Sequence, residues 1–161
     1  MRRISLSLSA LAIAWASLTA APASAAIIVF DIPLNGAQEV LPNVGDPDGF
    51  GTAHLEINDS TMTISWNIIV NSIVLPPTGA HIHQGAFGTN GPVRVDFNSM
   101  LSGSGLFDAD LAGVLASPAG WYVNIHNSVH TGGAIRGQIP APGAGALMLL
   151  GGAAAMRRRR V

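Results

Sequence analysis

The sequence of 161 residues contains no cysteine and no lysine. Without cysteine there is no disulfide to brace a small domain and no thiolate for nucleophilic or metal chemistry. Without lysine, arginine is the only permanent side-chain cation, and six of the eight arginines stand at the two ends, at Arg2, Arg3 and 157–160. Between the ends, Arg94 and Arg136 face nine carboxylates: Asp31, Glu39, Asp46, Asp48, Glu56, Asp59, Asp96, Asp108 and Asp110. The whole chain carries −1, but its interior carries two positive charges against nine negative ones, or −7. Such a surface repels nucleic acid and anionic lipid and favours cations. Also missing are a phosphate-cradling P-loop, a Ser-His-Asp order and a pair of carboxylates spaced for acid–base work. No internal repeat is present.

The ends have their own grammar. Arg2-Arg3, an apolar stretch broken by serines and Ala23-Ser24-Ala25 form the three parts of a secretory signal peptide, residues 1–25, cut after Ala25. At the other end, Pro140-Ala141-Pro142 precedes an uncharged run from Gly143 to Met156 and then Arg157 to Arg160. The run is shorter than the roughly 20 residues of a stable membrane span. The arginine cluster would nonetheless stay on the cytoplasmic side during export. Residues 140–161 therefore read as a sorting signal or a tail anchor, with membrane contact at least transient. The order resembles the PEP-CTERM type of bacterial sorting tail, with Pro-Ala-Pro where that type usually has Pro-Glu-Pro. The expected location is exported: cell surface, outer envelope or extracellular.

Residues 26–139 remain, one domain's length. From Thr61 to Val70, apolar Met62, Ile64, Trp66, Ile68 and Val70 alternate with polar neighbours, which predicts a half-buried strand. Gly51–Ile57 precedes it across the turn signal Asn58-Asp59-Ser60, so the two predict a hairpin. Ile27–Leu34, Ala80–His83, Val93–Phe97, Trp121–His126 and Ala134–Ile139 follow the same rule. Gly-, Pro- and Asn-rich connections separate them, among them Ser102–Gly105. Only Asp108–Ala116 predicts a short helix. The fold class is all-β: an antiparallel sandwich or barrel.

Chemistry concentrates on histidine. His81 and His83 are two apart on a strand and leave from one face, opposite Ile82. His126 leaves from the outer face of its own strand. Were those strands neighbours, three imidazoles would converge, and imidazole at that spacing suits copper or zinc. His54 and His130 are secondary candidates. Asp46-Pro47-Asp48-Gly49 reads as a plain turn, not a calcium loop. Arg136 is expected to pair with Glu39.

Five segments, Leu34–Pro42, Gly79–Gly85, Asn90–Val93, Trp121–His126 and Gly132–Ile139, resemble the CHRD domain, named from chordin and common in bacterial exported proteins. Ala134 stands where that family often has Glu. The resemblance implies an immunoglobulin-like β-sandwich with a distant likeness to copper–zinc superoxide dismutases. On that likeness His81, His83 and His126 match copper ligands, and Arg136 matches a substrate-guiding arginine. The disulfide, the zinc loop and the bridging histidine of a dismutase are missing. Two expectations follow. One is a non-catalytic structural or interaction module at the cell surface or in an extracellular matrix, with matrix or surface proteins as partners. The alternative is an extracytoplasmic copper- or zinc-binding protein.

Overall fold

A computed structural model describes residues 25–141. The expected signal peptide and sorting tail fall almost wholly outside the described residues. Among the described residues, no helix is long and apolar enough to cross a membrane.

Among the described residues eight strands form: β1 Ile27–Asn35, β2 Phe50–Asn58, β3 Thr63–Asn71, β4 Gly79–Gln84, β5 Val93–Asp96, β6 Ser102–Phe107, β7 Trp121–His126 and β8 Ile135–Gln138. One α-helix among those residues, α1 Leu111–Ala116, follows β6. The hairpin β2–β3 pairs nine residues in unbroken register. Its turn is fixed by the Asn58 side chain, which accepts from the backbone N–H of Ser60 and Thr61, both at 3.0 Å. Alternation does what period two requires. Leu55, Ile57, Ile64, Trp66 and Ile68 are buried on one face, and their polar neighbours point outward. Each fully buried side chain of this size contributes about 1.5–3 kcal/mol.

The strands join edge to edge in the order β5-β4-β7-β8-β1-β2-β3-β6, every pairing antiparallel. A single sheet therefore supplies both layers by curling over its own core. The closure is visible where opposite ends of that order meet. Trp66 of β3 stacks on Phe97, the residue after β5, with ring centroids 4.5 Å apart. The Trp66 indole N–H donates to the Met100 carbonyl at 2.9 Å, tying the two layers at the same point. Leu111 and Val114 of α1 add to the one core.

Two expectations need correction. Ser102–Gly105 is not a connection but the start of β6, an edge strand paired with β3. Its Ser-Gly-Ser-Gly composition imitates a turn because the strand lies over Trp66. A Cβ on Gly103 would fall 2.3 Å from the indole ring, so only glycine fits. The helix begins at Leu111, not Asp108, because the Asp108 side chain accepts from the Asp110 N–H and turns the chain there. Asp46–Gly49 is a plain turn, with Asp48 N–H donating to the Asp46 carboxylate.

Direction along the sheet places the loops. β1 starts at Ile27 and meets β8 only at Asn35, opposite Arg136. The described chain thus enters and leaves toward one end of the sheet. Segments 36–49 and 127–134 lie together at the other end, where the Asp46 N–H donates to the Ala134 carbonyl.

Candidate metal centre

Strands β4 and β7 are neighbours, in a register that sets His81 opposite Asn124, His83 opposite Tyr122 and Gly79 opposite His126. The outward-facing histidines of both strands therefore share one patch. Ring centroids are 5.5 Å apart for His81 and His83, 5.1 Å for His81 and His126, and 5.7 Å for His83 and His126. One nitrogen from each ring lies within 4.8 Å of the others, the one such His/Cys/Asp/Glu group among the described residues. A point within roughly 2.8 Å of all three therefore exists, against metal–imidazole bonds of about 2.0–2.1 Å. Gly79 makes room for this crowding. A Cβ there would sit 2.6 Å from Cε1 of His81 and 3.2 Å from Cδ2 of His126.

Hydrogen bonding divides each ring in two. His83 Nδ1 faces the Gly91 carbonyl at 2.9 Å, and His126 Nδ1 faces the Thr131 carbonyl at 3.0 Å. A carbonyl only accepts, so both rings carry their proton on Nδ1 and leave a lone pair on Nε2. His81 reverses the arrangement, with Nε2 3.5 Å from an Asp96 carboxylate oxygen. The remaining nitrogens, Nδ1 of His81 and Nε2 of His83 and His126, are buried and have no partner. Burial is also the main reason all three imidazoles lose proton affinity, His83 falling to about 4. For His83 the nearby His126, His81 and Arg136 charges add to the fall, and the Gly91 hydrogen bond opposes it. His83 and His126 thus each present an Nε2 lone pair backed by a carbonyl on the far side of the ring, while His81 has the longer Asp96 contact behind it. This is the support that metal-ligating histidines receive in metal sites generally.

The outward face is not solvent here. Segment 85–92 covers it, and His83, Tyr122, Asn124 and Arg136 are all buried. His83 stacks on Tyr122 at 4.9 Å, and the Arg136 guanidinium lies 3.4 Å from the Tyr122 ring centroid. Arg136 also donates to the carbonyls of Thr89 and Ala86. It makes no ion pair with Glu39, contrary to the sequence expectation, and at 1% exposure it cannot meet a substrate. The loop carbonyls and the ring satisfy it instead. Both carboxylate oxygens of Glu39 are buried, and that burial raises it to about 7. The charges of Arg136 and His130 and the Asn124 amide offset only part of that cost.

The secondary candidates lie elsewhere. His54 is half-buried on β2 and held by Asp31 at 2.6 Å and Glu56 at 3.4 Å, contacts that raise its proton affinity. His130 Nδ1 faces the Val44 carbonyl at 2.9 Å. Sequence reasoning missed Tyr122 and Asn124 as parts of the patch. Their signal was Trp121-Tyr122-Val123, where an aromatic on the outward face betrays a covered one.

A family model described as the CHRD domain matches residues 30–139. No curated protein and no solved structure matches the chain.

Proposed function

This chain belongs to the CHRD domain family, and from that premise we propose that it is an exported, non-catalytic surface module that holds one copper or zinc ion on His81, His83 and His126. The observation that carries the metal reading is that one nitrogen from each of the three rings lies within 4.8 Å of the others, in a cluster where every ring also has a buried nitrogen without a protein partner. A buried acceptor left unpaired costs about 1–3 kcal/mol, and three in one cluster are explained together by one ion. All-imidazole donors suit copper or zinc and not calcium or magnesium, which take oxygen. Bound there, the ion would supply rigidity and charge to an otherwise neutral cluster.

Binding rather than turnover is favoured by Arg136. It is buried and engaged by the Tyr122 ring and the Thr89 carbonyl, so it cannot draw an anionic substrate toward the rings. Export rests on the signal-peptide pattern of residues 1–25. Surface retention rests on the PEP-CTERM-like order of residues 140–161, with matrix or surface proteins as the partners such a module would meet.

Metal content and affinity of the purified chain test the proposal, beside the double variant His81→Ala/His83→Ala. One equivalent of copper or zinc, lost in the double variant, is expected. Absence of metal, together with a melting temperature that copper and zinc leave unchanged, would overturn it.

A further inference from the structure

The loops beside the histidines are fastened very unequally. Segment 85–92 is held at many points. Gly91 is gripped by His83 Nδ1 and by the Tyr122 hydroxyl, Thr89 by Arg136, and Gly85 by the Gln138 amide at 3.0 Å. Segment 127–133 is different. Among the described residues, His126 is the only side chain of the sheet that donates to it, through Nδ1 to Thr131. Its other bonds are internal, such as Asn127 accepting from the N–H groups of Val129 and His130. The remaining ones reach segment 43–44: Asn43 donates to the Gly132 carbonyl at 3.0 Å, and His130 to the Val44 carbonyl at 2.9 Å.

A neutral imidazole carries its one proton on either nitrogen. The His126 Nδ1–H already donates to Thr131, but a turn of the ring or a shift of its proton to Nε2 would open that bond and cost the loop its one side-chain tie to the sheet. A metal ion on Nε2 excludes that tautomer and makes the Nδ1–H bond to Thr131 obligatory. We infer that the ion is a clasp: occupancy of the histidine site fixes segment 127–133 and, through Asn43 and His130, segment 42–45. This rests on the metal reading above and adds what the metal is for. Between the two segments, from Pro42 to Val44 and from Val129 to Gly132, lies an open cleft of about 330 Å³. Its shape follows the metal. Segment 85–92 does not respond, because its other anchors hold it either way. Coupling is reciprocal, so loosening the clasped loop weakens the ion's hold.

Amide hydrogen exchange on the purified full chain, with and without Zn(II) as a redox-inert probe, tests the clasp. Exchange in 128–132 and 42–45 should slow by about tenfold, within the usual range of coupling between sites. Exchange in 86–91 and in β2 and β3 should hardly change. In Asn43→Ala, which leaves the histidines and core untouched, 128–132 should still respond while the response of 42–45 falls. Stoichiometric, histidine-dependent Zn(II) binding with unchanged exchange in 128–132 would overturn the clasp and leave the metal site standing. Uniform slowing over loops and strands would also overturn it, since that is general stabilisation. Failure to bind Zn(II) or Cu(II) at all would bring down the metal reading and the clasp together.

Discussion

Gly79 shows how much one missing side chain decides. A methyl group there would press on the free end of the His81 ring, not on backbone, so the ring would move and the strand would stay. Gly79→Ala should therefore leave the melting temperature within a few degrees of the parent. It should weaken Zn(II) or Cu(II) by about tenfold or more, the scale of losses seen when metal ligands are misaligned. A competition titration with a chelator of known affinity reads this, and an unchanged affinity would show that His81 is not a ligand. Glu39 is the other residue whose chemistry is set by position. Its carboxyl holds a proton up to about 7 in the folded chain, against 4.5 ordinarily. The folded state binds that proton more tightly than the unfolded one. Stability from this group is thus complete below about 4.5 and lost as pH rises through 7. Glu39→Gln should then stabilise the protein at pH 8, by about 1–2 kcal/mol after discounting for partial solvent access. The gain should vanish near pH 4.5 in thermal melts at the two pH values. A gain of equal size at both would mean that the glutamate's charge is not the cause.

At the scale of elements, curling is what makes one sheet into a domain, and the Trp66–Phe97 stack closes it. Phe97→Ala should cost about 3–5 kcal/mol, read by urea unfolding. A cost under 1 kcal/mol would mean that the layers are held elsewhere. The same elements show what sequence can carry. Period-two alternation located β1 to β5, β7 and β8 to within two or three residues, because each has one face in the core and the other outside it. It failed at β6, where Gly103 meets an aromatic ring and Gly105 takes a positive φ, so composition mimics a loop. The convergence of His81, His83 and His126 was legible only as a condition. Spacing fixes the face of each strand, but adjacency of β4 and β7 is a property of topology, three strands apart in sequence. The Arg136–Glu39 pairing misled for a related reason. Charge counting ignores that loop carbonyls and a tyrosine ring can satisfy a guanidinium as well as a carboxylate can.

At the scale of the whole molecule, the interior's −7 is concentrated on a domain with one exposed arginine, Arg94. If export runs as proposed, mass spectrometry of the protein recovered from the cell envelope or medium should show Ala26 as the first residue. An intact Met1 there would refute the cleavage. The direction of the strands then has a consequence for a tethered protein. The described chain starts and finishes toward one pole of the sheet, and the His126 side of the cluster, with segments 36–49 and 127–134, occupies the opposite pole. Held by its C-terminal end, the domain would stand like a lamp on a post. The cleft and the His126 edge of the cluster would be turned to the surrounding fluid, where dilute ions and neighbouring molecules arrive, and its base would face the membrane.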